Sequence, residues 1–322
     1  MIAARGGKKI NNEEEKVRNL LVGAAVLASI AQTATAATFT AQDLLHGFNN
    51  IVLTDLHATA ETEGTIFVGG NYSGGATVNP DLEPNVDLGG GVVGTFVVGG
   101  DVTGIANLQS GNAQVGGSIT GTINNNGGGT INTGVSVPVA TVRSTLEQLS
   151  LDLSTNPDTA GGVANTSDQN NINFVSGAGD SDMIQFFNIT ASVLANGTFN
   201  GITAPAGVTT IINVSGTAPV IGVNANQTLT DVLFNFYEAT SLTINTAFNY
   251  SILAPFADVT QNGGGINGTV VSNNLRQNAE IRPGHFDGNL PNDNPQPVPV
   301  PPALALLASA FAGVGLLKRR SK

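Results

Sequence analysis

Cysteine and tryptophan are both absent from the 322 residues. Without cysteine the chain has no disulfide framework, no thiolate nucleophile and no cysteine-based zinc site. Charge is scarce at 11 % of residues, and positive charge is almost missing from the body. Nine of the twelve Lys and Arg lie in the first 18 or last 5 residues. Between positions 37 and 302 only Arg143, Arg276 and Arg282 stand against twenty Asp and Glu, a net of −17. A body that acidic repels a nucleic-acid backbone, which excludes that class of partner. The same shortage leaves little to stabilise an oxyanion or to grip an acidic glycan in a catalytic cleft. His46, His57 and His285 are too scattered for an i,i+4 metal pair and stand in no Ser-His-Asp order. The glycine-rich phrases are not followed by Lys-Ser/Thr, so they are not P-loops. We read no catalytic residue, no cofactor site and no enzyme here. Glu61 with Glu63 and Asp180 with Asp182 are spaced to point the same way on a strand, and are the candidate carboxylates for an acid and base or for Ca²⁺.

What the chain does hold is glycine, 41 residues of it, and a repeated phrase. Val-Gly-Gly-x-x-(Ser/Thr)-Gly is written three times: VGGNYSG at 68–74, VGGDVTG at 98–104 and VGGSITG at 115–121. The first two share a lead-in, Gly64-Thr65-Ile66-Phe67 and Gly94-Thr95-Phe96-Val97. Ile66 with Val68, and Phe96 with Val98, fall on one face of a period-2 strand. The paired glycines supply a tight corner, often at φ > 0. Stacked coils superpose such residues, whereas a flexible linker has no reason to keep Val and Ile in register with glycine. The first two phrases are further apart than the second and third, which fits an inserted loop at 75–91. Residues 121–134 read as the link out of these coils.

Upstream, 41–55 reads as a short helix and then the first strand. After Pro138 the texture changes, and Val142, Leu146, Leu149 and Leu153 recur at three- and four-residue steps. That stripe makes 139–153 an amphipathic helix that needs a sheet to lie on, the open side of the solenoid being nearest. From Met183 the coils resume at 184–193, 201–214, 232–244, 250–255 and 266–271, roughly 16 to 18 residues each. The expected fold is mainly β: a right-handed β-solenoid with one flanking α-helix.

The two ends read as addresses. Residues 20–36 form an apolar run after Lys16 and Arg18, closing on small residues at Ala34 and Ala36, as a secretory signal peptide cut after Ala36 does. The acidic triplet Glu13-Glu14-Glu15 is unusual in such a leader, and a translation start at Val17 is one explanation. At the other end a proline-rich segment, 290–302, leads to an apolar run at 303–317 and the basic tip Lys318, Arg319 and Arg320. As a helix that run reaches about 22 Å, short of the ~30 Å hydrocarbon core. The four segments are therefore 1–36, a body at 37–289, a linker and sorting box at 290–302, and a tail at 303–322.

The tail resembles the PEP-CTERM sorting signal of Gram-negative bacteria, with Val298, Pro299, Val300 and Pro301 as its box and Val300 in place of the usual Glu. The resemblance implies transient attachment to the inner membrane and recognition by an exosortase-like transpeptidase, in organisms that make exopolysaccharide. The body resembles the choice-of-anchor A family of surface proteins. The residues that carry this are Thr54-Asp55-Leu56, Glu63-Gly64, Val68-Gly69-Gly70-Asn71, the Ile211–Gly216 phrase, Leu253-Ala254-Pro255, Ile266-Asn267-Gly268 and His285-Phe286. It implies a β-helical, adhesin-like domain at the cell surface or in the matrix, meeting exopolysaccharide or other surface components. Ice or glycan binding is the rival reading, and a regular Thr array on successive coils would mark ice binding. The sequence shows only isolated Thr65, Thr95 and Thr269. A polysaccharide lyase or hydrolase is a further rival, and would need a basic and acidic cluster on one face.

Overall fold

A computed structural model describes residues 39–291. It is a parallel β-solenoid of three sides, with the chain turning a corner between each side and the next. On side one, ten strands stack in register in the spatial order Ile184–Thr190, Thr209–Ser215, Val232–Asn235, the start of Ser251–Gln261, the start of Val270–Gln277, Asn50–Val52, Ile66–Val68, Phe96–Val98, Ala113–Val115 and Ile131–Thr133. Spatial order is thus not chain order. The first coil sits in the middle of the stack, and Asn50 pairs with Val270 on one edge and Ile66 on the other. The chain climbs outward from Asn50 to Ile131, crosses to the opposite end, and winds back until its last coil lies against its first.

Helix α2, Val139–Ser154, begins that crossing. Helix α1, Ala41–Gly47, precedes the first strand and is closed by a capping box: Asp43 N–H donates to Thr40 Oγ1 at 3.0 Å, and Thr40 N–H to the Asp43 carboxylate at 2.7 Å. A third, four-residue helix, α3, spans Ser192–Ala195. Among the described residues the expected single helix is therefore the longest of three. α2 has no side-chain cap at its N-terminus and no acidic residue in its first turn, so packing and tertiary hydrogen bonds hold it. Its stripe of Val142, Leu146, Leu149 and Leu153 is buried as the periodicity predicts. Burying four such side chains contributes about 6 to 12 kcal/mol before entropy is charged.

Side one is apolar on both faces as a result. Its inward residues, among them Val52, Ile66, Val68, Phe96 and Val98, join the solenoid core; its outward residues, among them Ile51, Phe67, Val97, Ile211 and Val271, form a second core beneath α1 and α2. At about 1.5 Å per residue α2 runs for about 24 Å, or some five coil steps of 4.8 Å. Val139 lies against Gly69 and Gly99 at one end, and the Leu153 carbonyl accepts from Asn213 Nδ2 at 2.9 Å at the other. The helix therefore straps the outward-climbing coils to the returning ones.

Several boundaries differ from the sequence reading. The insertion is 79–94, holding a short hairpin of Val86–Asp87 with Val93–Gly94, because 75–78 is already strand. Residues 121–134 are no link: Thr122–Asn125 and Ile131–Thr133 make one more coil. The returning coils are uneven, since Ile184 aligns with Thr209, Thr210 with Val232, Leu233 with Ser251 and Ile252 with Val270, steps of 25, 22, 18 and 18 residues. The longest step accommodates α3 and the strand Phe199–Thr203. Among the described residues no helix is long and apolar enough to cross a membrane. Ala34, Ala36, Val298, Pro299, Val300, Pro301, Lys318, Arg319 and Arg320 all lie outside them.

Candidate adhesive face

The repeated phrase builds side two, and each of its positions has a separate task. Its first variable position is Asn71, Asp101 or Ser118. These stack with Asp55 and Asn274 into a ladder in which a side-chain oxygen accepts from the next coil's backbone, and Asp258 extends it by accepting from Asn274 Nδ2 at 2.7 Å. Asp55 N–H donates to Asn274 Oδ1 at 3.0 Å, Asn71 N–H to Asp55 Oδ1 at 2.7 Å, Asp101 N–H to Asn71 Oδ1 at 2.9 Å and Ser118 N–H to Asp101 Oδ1 at 2.7 Å. The second variable position, Tyr72, Val102 or Ile119, turns inward to the core. The Ser/Thr position faces out.

Following that outward position from coil to coil gives one row: Val220, Thr243, Thr260, Arg276, His57, Ser73, Thr103 and Thr120. Neighbours in the row are one coil apart, about 4.8 Å. Thr103, Thr120, His57 and Arg276 are exposed, and Ser73, Thr243 and Thr260 half-exposed. His57 Nδ1 lies 3.0 Å from Ser73 Oγ. Arg276 has no ion pair within 4.0 Å among the described residues, so side two offers a free cation in an acidic body. Hydroxyls thus flank a central Arg/His pair, with the Asx ladder as a parallel border.

The threonines singled out from the sequence lie elsewhere. Thr65, Thr95 and Thr269 are fully buried, and their hydroxyls donate to the carbonyls of Gly47 at 2.6 Å, Ser110 at 2.8 Å and Leu45 at 2.8 Å. They tie corners and face no ligand. The row that does face solvent draws its eight members from eight coils of unequal length, so no fixed spacing in the sequence reveals it.

Side three, where Ile281–Arg282, the bridging Thr62, residues 75–78, Ile105–Leu108 and Thr122–Asn125 stack, carries the carboxylates. Glu61 and Glu63 flank the bridging residue Thr62 and are joined by Glu280 from the adjoining coil, with an oxygen of each within 4.8 Å of the others. Burial raises the Glu63 pKa above the usual carboxylate range, and the nearby Asp81, Glu280 and Glu61 raise it further, against the opposing charge of Arg282. Arg282 itself pairs with Glu280 at 2.8 Å. These three are the residues that could hold a divalent cation. Asp180 and Asp182 form no strand pair, because they precede Ile184 in a turn where Asp180 Oδ1 accepts from Asp182 N–H at 2.9 Å and Ile184 N–H at 3.0 Å. That carboxylate is committed to the backbone. His46 lies against the Gly288 carbonyl at 3.3 Å, and burial lowers the pKa of His285 below the usual histidine value.

Over residues 41–283 the chain matches the family described as "Putative Ice-binding-like adhesive domain". The chain belongs to that family. No curated protein and no solved structure matches it. The family description is adhesive and ice-binding-like, and the match takes in all of the described residues except 39–40 and 284–291.

Proposed function

We propose that this is an exported cell-surface adhesive protein that grips hydroxyl-rich material, exopolysaccharide or a related glycan, through side two. The observation that carries the reading is the outward row Thr243, Thr260, Arg276, His57, Ser73, Thr103 and Thr120. Alternating donors and acceptors at one-coil spacing meet a polymer of repeating hydroxyls, and the central Arg/His pair adds a cation that a neutral surface lacks. Each hydrogen bond contributes little net, on the order of 1 kcal/mol, so affinity comes from repetition. The replacement Thr103→Lys/Thr120→Lys should lower retention on insoluble polysaccharide about tenfold, the effect of about 1.4 kcal/mol, with an unchanged circular dichroism spectrum. Equal retention would remove the face from the account.

Ice binding by the same row is the second reading, favoured by the family description. The interruption at Arg276 and His57 weighs against it, because a lattice needs an unbroken array. Delivery, in this proposal, follows the choice-of-anchor A pattern. A leader is cut after Ala36, and a PEP-CTERM-like tail holds the chain in the inner membrane until an exosortase-like enzyme cuts near Pro299 to Pro302. The short apolar run and basic tip support an address over a permanent anchor. Peptide mapping of the surface form should find nothing from 304–317; recovery of those peptides would replace sorting with anchoring.

A further inference from the structure

The two ends of the stack are finished differently. At the far end the outer edge of Ile184–Thr190 is closed by the chain itself: Phe186 N–H donates to Thr159 Oγ1 at 3.1 Å, Thr159 N–H donates to the Phe186 carbonyl at 3.1 Å, and Asn188 N–H donates to Asp158 Oδ1 at 2.8 Å. A small sheet of Val163–Asn165, Ile172–Val175 and Phe199–Thr203 adds Ile172, Phe174 and Ile202 to that end of the core. At the near end Thr122–Asn125 and Ile131–Thr133 pair on one edge only. Among the described residues, every backbone bond that these strands make to another coil runs to the coil beneath. Ile119 and Ile123 are half-buried, Ile131 is 39 % exposed, and the shielded Asn125 Oδ1 has no donor.

Bare strand edges are ordinarily blunted by charge, proline or a covering segment. Here the 41 residues 102–142 contain no Asp, Glu, Lys, Arg or His. We infer that the near end docks a second copy of this chain, the outer edges of two Thr122–Asn125 strands pairing antiparallel across a two-fold axis. Charge selects the partner. Two bodies of net −17 between positions 37 and 302 repel through every acidic face, and this neutral end is where like meets like without that cost. Thr122 then lies opposite Asn124 of the second copy, both facing outward and both uncharged. The backbone groups of the bare edge acquire partners. Because the far end is closed, the assembly stops at two and does not grow into a fibre.

Sedimentation velocity of the full chain in mild detergent should show a species of twice the chain mass that dissociates on dilution. Thr122→Lys/Asn124→Lys sets lysine against lysine across the joint and should leave only monomer, with the melting temperature unchanged. If that variant does not fold, a second route remains, since the chain has no cysteine of its own. Thr122→Cys/Asn124→Cys should oxidise to a covalent dimer, and Val220→Cys, on side two at the far end, should not. A wild type that is monomeric at every concentration, a dimer that survives the lysine pair, or equal crosslinking through Val220→Cys would each overturn the inference.

Discussion

At the scale of single residues, the glycines of the repeated phrase show why composition alone misleads. Gly69, Gly70, Gly99, Gly100, Gly116 and Gly117 do not hold positive φ, so the expected left-handed corner is not their reason. Adjoining coils approach so closely that a methyl group at Gly99 would sit 2.3 Å from the Gly69 carbonyl oxygen, and one at Gly116 would sit 2.2 Å from that of Gly99. Only the last glycine of the first phrase, Gly74 at φ +94°, needs both the conformation and the space. Gly99→Ala should therefore destabilise by about 1–3 kcal/mol through overpacking alone. At roughly 2–4 °C per kcal/mol the melting temperature should fall by several degrees. An unchanged melting temperature would show that the coils can separate to admit a Cβ. The phrase was legible because backbone crowding demands glycine at fixed places. The cause was not, because crowding comes from a coil 16 to 30 residues away in the chain.

At the scale of elements, α2 is held by polar anchors as well as by its stripe. Asn188, Asn213 and Asn235 form a ladder on side one, and Asn235 Nδ2 donates to the Ser150 carbonyl at 2.8 Å while Ser150 Oγ donates to Asn235 Oδ1 at 2.6 Å. Toward the other end Arg143 donates to the Leu53 carbonyl at 2.8 Å and to Thr54 Oγ1 at 2.6 Å. Its ion pair with Glu147 is about one-third exposed on each side and contributes little by comparison. Asn235→Ala would take the acceptor from the fully buried Ser150 hydroxyl and the donor from Asn213 Oδ1, at a cost of about 1–3 kcal/mol. Thermal unfolding followed at helical and strand wavelengths should show both falling together, since the strap and the coils share one core; a helix that melts first would separate them. The helix itself was readable from its 3.6-residue period. The asparagine ladder was not, because Asn213 and Asn235 sit in strands of ordinary β-rich sequence and gain meaning only from the helix laid across them.

At the scale of the whole molecule, the discontinuous path of the chain decides what the surface displays. The first coil lies in the middle, so the outward row interleaves residues from both ends of the sequence, with His57 beside Arg276. No scan along the sequence places those two together. The coils, their stacking and the acidic, cysteine-free body were all legible; the row was not, because its order is spatial. Amide hydrogen exchange of the folded protein with and without insoluble polysaccharide tests the adhesive reading most directly. The account predicts added protection at 55–58, 72–74, 101–104, 118–121, 241–244, 258–261 and 274–277, the strands and bridges that carry the adhesive row of side two, with none at Glu61, Glu63 and Glu280. Protection confined to side three, or to the surface of α2, would contradict it.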